Sequence, residues 1–61
     1  MKFKEGDIIQ NIDPYEGEEE LLITKVDEQR QEYHCSAIEN GEIVYNSIEE
    51  EEDMDCYHKV G

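Results

Sequence analysis

Apolar residues recur along this chain in short alternating runs, each broken by turn-forming residues, and that spacing predicts β-strands. Gly6-Asp7 leads into Ile8-Ile9-Gln10-Asn11-Ile12, the first predicted strand. Asp13-Pro14-Tyr15-Glu16-Gly17 reads as a turn or loop, because Pro presets φ and Gly tolerates φ > 0. The segment from Leu21 to Val26 is rich in branched side chains and predicts a buried strand. Asp27-Glu28-Gln29-Arg30 is polar and forms the next predicted turn.

From Gln31 to Ile38 the alternation puts Tyr33, Cys35 and Ala37 on one face and His34, Ser36 and Ile38 on the other. Asn40-Gly41 is the strongest local signal, because both residues accept the positive φ of a type I′ hairpin turn. A fourth strand follows over Glu42 to Asn46. Ser47-Ile48-Glu49-Glu50 fits a capping box, which predicts one or two helical turns through the acids that follow. Cys56-Tyr57-His58-Lys59-Val60 closes the chain as a short last strand. The expected architecture is all-β, one domain over residues 1–61, with five strands and one short helical turn before the last.

The expected core draws on Phe3, Ile8, Ile9, Ile12, Leu21, Leu22, Ile23, Val26, Tyr33, Ile38, Ile43, Val44, Ile48, Tyr57 and Val60. Such a core is thin, since 61 residues lie near the lower limit for folding without staples. Charge adds to the difficulty. Eighteen Asp and Glu against five Lys and Arg leave a formal −13, so self-repulsion lowers stability and salt should restore some of it. The N-terminus lacks the apolar stretch of a signal peptide, and no run approaches a membrane span of about 20 apolar residues. A cytoplasmic protein is therefore expected, with Cys35 and Cys56 reduced and not bridged.

Phe3-Lys4-Glu5-Gly6-Asp7-Ile8-Ile9 resembles the F-K-x-G-D-x-I opening of small SH3-like barrels, in which the Gly-Asp pair turns the chain into the first strand. Tyr33-His34-Cys35, Asn40-Gly41, Ser47-Ile48-Glu49 and Tyr57-His58-Lys59-Val60 are similar to motifs of very small SH3-like proteins from phages and gut bacteria. The resemblance covers nearly the whole chain. It implies a five-stranded SH3-like barrel and a mobile-element setting in a bacterial host, and it implies no particular activity. SH3-like barrels that bind nucleic acid present basic loops, whereas this chain carries acids there.

Candidate chemistry is sparse. His34, Cys35, Cys56 and His58 are zinc-ligating types, but His34 and Cys35 point to opposite faces of a strand. At best Cys35, Cys56 and His58 make a three-ligand site, and a small zinc-stabilised module is a minor alternative. Consecutive carboxylates over Glu49 to Asp55 lack the pattern of a calcium loop. A Cys35–His58 nucleophile pair would sit in an electronegative field that suppresses the thiolate, and no Gly-rich phosphate loop is present. Neither an enzyme nor a cofactor is expected.

The acids are the remaining feature. Glu16, Glu18, Glu19 and Glu20 form one cluster, and Glu49, Glu50, Glu51, Glu52, Asp53 and Asp55 form the other. Acid-rich surface often serves only solubility. Here the acids concentrate in the first long loop and the predicted helical turn, where a rigid fold would hold them as a fixed array. Such an array repels nucleic acid and anionic membrane and attracts a basic protein surface. The leading expectation is a non-catalytic inhibitor of anti-CRISPR or anti-restriction type that mimics nucleic-acid charge. The runner-up is an SH3-like adaptor that binds a peptide or protein, with Tyr15 as an exposed aromatic contact. Free strand edges favour self-association and the −13 charge opposes it.

Overall fold

The computed structural model describes residues 1–13 and 19–61. Its strands are β1 (Ile8–Asn11), β2 (Glu20–Asp27), β3 (Glu32–Glu39), β4 (Glu42–Glu50) and β5 (Tyr57–Lys59), with a 3-10 turn over Glu51–Cys56 before β5. All neighbours pair antiparallel in one five-stranded sheet of order β4-β3-β2-β1-β5. The all-β class and the short helical turn before the last strand agree with the sequence pattern.

The entry to β1 is built by Gly6 and Asp7. Gly6 takes φ 92°, which a side chain would strain, and its amide donates to the Ile23 carbonyl at 2.8 Å. The Asp7 carboxylate is buried and accepts from the Lys4 amide at 3.1 Å. Asn40 and Gly41 take φ 53° and 79°, and Glu39 pairs with Glu42 directly across them. This is the two-residue hairpin expected of Asn-Gly.

One face of the sheet carries the core of Phe3, Ile9, Leu21, Ile23, Tyr33, Cys35, Ala37 and Met54. Phe3, from the N-terminal segment, meets the Tyr33 ring with centroids 6.3 Å apart. Met54, from the 3-10 turn, is fully buried, and its place in the core carries no periodic signal in the sequence.

Three expectations need correction. Ser47 does not cap a helix: β4 runs on to Glu50, and Ser47 to Glu50 pair with Cys35, His34, Tyr33 and Glu32 of β3. That ladder satisfies the backbone better than a marginal acidic helix, so a tertiary pairing overrides the local cap signal. The turn that follows has Glu50 at its N-cap with no side-chain cap bond. Cys56 belongs to the 3-10 turn, not to the last strand. Ile12, Ile43, Val44, Ile48 and Val60 are exposed, not core. For β4 the cause is its place at the end of the sheet, with a register shift between Ala37 and Ile38 that leaves Val44 as an extra residue.

Candidate acidic interaction surface

The second acidic cluster occupies the end of β4 and the 3-10 turn that continues it. Glu49 lies opposite Tyr33 on the core side of the sheet, and Glu50 lies opposite Glu32. Beyond them Glu52, Asp53 and Asp55 are exposed on the turn. Glu50 and Glu52 share a hydrogen bond, and that bond raises the Glu50 carboxyl above its ordinary value. Repulsion from Glu52, Asp53 and Glu32 adds to the effect. Two carboxylates crowded this closely hold a proton between them more readily than isolated ones.

Glu51 behaves differently from its neighbours. Its carboxylate accepts the Tyr33 hydroxyl proton at 2.7 Å and the Lys2 amide at 3.1 and 3.2 Å. The Tyr33 oxygen in turn accepts from the buried Phe3 amide at 3.0 Å. Burial raises the Tyr33 phenol, with Glu51 contributing to the shift. Glu51 is therefore a structural carboxylate that ties the N-terminal segment to the turn.

From the first cluster, Glu19 accepts a hydrogen bond from the Tyr45 hydroxyl. The bond lowers the Glu19 carboxyl and pushes the Tyr45 phenol up to about 12. Glu19 and Glu49 line one shallow cavity of about 220 Å³ with Leu21, Tyr45, Ser47 and Tyr57. One acid of each cluster, Glu19 and Glu49, thus lies beside Tyr45 although the two are some thirty residues apart in sequence. Glu20 does not join them; it pairs with Ile38, on the opposite side of the sheet from the core row. Tyr15, Glu16 and Glu18 lie outside the described residues.

Cations are few along this surface. Lys2 Nζ lies 3.6 Å from Asp55, and both side chains are solvent-exposed. Arg30 lines a cavity with Glu50, Glu51 and Glu52, and Lys59 pairs with the buried Asp7 at 3.6 Å. The exposed Lys2–Asp55 pair neutralises little.

The cysteine and histidine candidates are not gathered. Cys35 is buried in the core, and desolvation with the nearby Glu49 charge pushes its thiol up to about 11. Cys56 is exposed at the end of the turn, and His58 is exposed on β5 opposite Gln10. Among the described residues, no three His, Cys, Asp or Glu side chains are placed to hold a metal ion. Nor is any helix among them long and apolar enough to cross a membrane.

Sequence reasoning missed one surface. It placed Ile43, Val44 and Ile48 in the core, yet they stand exposed on β4 with Tyr45. Their alternation reads alike whether the row is covered or open, so only the strand's position in the sheet could have revealed it. Compared with known proteins, the chain matches no family model, no curated protein and no solved structure.

Proposed function

We propose that this protein is a non-catalytic inhibitor that carries nucleic-acid-like charge into the basic groove of a host nuclease, in the manner of an anti-CRISPR or anti-restriction protein. The observation that carries this reading is the second acidic cluster, held on the end of β4 and the 3-10 turn instead of a loose tail, with Glu19 brought beside Glu49 at Tyr45. Magnitude supports it as well. The longest dimension is 32 Å, over which duplex DNA carries about 19 phosphates. A net charge of −13 is of the same order.

At the finer level of fold, we read the sheet as an SH3-like barrel of phage or mobile-element type acting in the bacterial cytoplasm. The meander β1 to β4, the 3-10 turn and the return of β5 beside β1 support that reading. In the proposed mechanism Glu50, Glu52, Asp53 and Asp55 enter the basic groove, Glu19 and Glu49 extend the anionic surface onto the other side of β4, and the body of the domain blocks nucleic acid from entering. Association is fast, electrostatically steered and strongly salt-dependent.

The test is recovery of partners from bacterial lysate at low and high salt. The native protein is compared with a variant carrying Glu49→Gln, Glu50→Gln, Glu52→Gln, Asp53→Asn and Asp55→Asn, which leaves the structural Glu51 in place. The expected result is a nucleic-acid enzyme that is held by the native chain, lost by the variant and displaced by added DNA or RNA. Identical partners for both proteins overturn the reading.

A second reading is favoured by the exposed Ile43, Val44, Tyr45 and Ile48 of β4. On this reading the domain is an adaptor that binds a peptide or protein partner through apolar contact, with little dependence on salt.

A further inference from the structure

β4 is the longest strand and also an end of the sheet. It pairs with β3 alone, and among the described residues no backbone hydrogen bond reaches its other side. A free edge offers a row of N–H and C=O groups to any extended chain that can lie beside it. Edge strands are usually blunted by charged side chains, Pro, a bulge or short length; the bulge of β4 lies at Val44 near the turn, and Tyr45 to Glu50 pair in regular register beyond it. β4 has neither Lys nor Pro over its nine residues.

Its side chains supply an apolar contact. Ile43 is 64% exposed and Ile48 56%, and the register places both on the outer side with Ile38 and His34. Val44, the extra residue of the bulge, is about half exposed next to Ile43, whereas Tyr45 lies on the core side opposite Ala37. Charge then selects the occupant. The charged residues of β4 are Glu42, Glu49 and Glu50, so acids stand at both ends of the apolar stretch.

A second copy of this chain fits poorly in the register that would use the whole strand. Two β4 strands pairing antiparallel about Asn46 would set Glu42 directly opposite Glu50, twice over. Like charges directly opposed across a ladder destabilise it. An extended segment with Lys or Arg at its ends and apolar residues between them turns both clashes into attractions.

We propose that the free edge of β4 binds such a segment of a partner protein by strand addition. The proposal rests on the adaptor reading, and it gives that reading a binding mode and a partner chemistry. Main-chain bonds supply the affinity, while Glu42 with Glu49 and Glu50 select for cationic ends. Some salt dependence follows from those end contacts, while the apolar row makes binding persist when salt screens them.

The test uses a nine-residue peptide that alternates Thr and Val between terminal lysines, titrated into isotope-labelled full-length protein and followed by NMR. A twin peptide with terminal glutamates and a third with Pro in its centre serve as comparisons. The lysine peptide is expected to shift and protect the β4 amides. The other two, and an Ile43→Lys/Ile48→Lys variant of the protein, should bind at least about tenfold more weakly. Both substituted positions are more than half exposed, so the variant keeps its fold, which its own spectrum verifies. Equal binding of the lysine and glutamate peptides overturns the proposal. So do shifts confined to β5 or the 3-10 turn, or a dimer formed through β4 without peptide. The variant leaves Glu51 to Asp55 intact, so a lysate partner that it still captures, but the acid-neutralised variant loses, belongs to groove occlusion.

Discussion

Tyr33 does two jobs with one side chain. Its ring is fully buried against Phe3, and its hydroxyl links the Phe3 amide to the Glu51 carboxylate. Tyr33→Phe keeps the ring and removes the link, leaving a buried amide without its acceptor. The expected loss is about 1–3 kcal/mol, read from urea unfolding. A variant as stable as the native chain would show that water takes over the hydroxyl's role. The sequence placed Tyr33 in the core, where it lies. It gave no sign of the hydroxyl bridge, because the partners lie 30 and 18 residues away. Glu51 was equally hidden. It stands between identical residues, and only the phase of the 3-10 turn sends its carboxylate inward while Glu50 and Glu52 face solvent.

Within the β3–β4 hairpin, local chemistry and pairing pull in different directions. The turn was legible, since few residues other than Asn and Gly accept positive φ at both positions. The strand end was not, since a capping-box pattern says nothing about a partner strand that satisfies the same backbone groups. The hairpin carries like charges at both of its ends, Glu39 opposite Glu42 and Glu32 opposite Glu50. Such pairs oppose the ladder they belong to, and departures of this kind concentrate at functional surfaces. The raised Glu50 carboxyl gives this a pH signature. A carboxyl raised by folding is protonated more readily in the folded state, so its contribution favours folding at low pH and is lost as pH rises through the folded value. Glu50→Gln should therefore raise the urea midpoint at about pH 7, with the gain closing below about pH 4. A gain that is the same at both pH values would assign the effect to packing.

Across the whole molecule, a small core works against a large charge of one sign. The shortest dimension is 17 Å, longer than the screening length of about 10 Å at 0.1 M salt. Moderate salt therefore silences repulsion across the molecule and leaves repulsion within the acidic turn. The melting temperature, followed by circular dichroism, should climb between very low salt and about 0.1–0.2 M and then flatten. A gain of about 1 kcal/mol corresponds to about 4–8 °C in a domain this small. A melting temperature indifferent to salt would mean that the acids lie too far apart to repel one another. Strand count and the antiparallel class were legible from alternation and turn residues alone. Which strand ends the sheet was not, because that depends on β5 returning to β1 across the full length of the chain.

The different settings of the two thiols have a practical consequence. Cys35 is sealed in the core with its thiol held protonated, whereas Cys56 stands in solvent where the acidic turn meets β5. Alkylating reagents reach one sulfur and not the other while the fold is intact. The native chain thus comes with a single attachment point for a fluorophore, at the junction of the acidic turn and the last strand. A dye placed there reports on a partner that covers the acids, and responds much less to one that settles along β4.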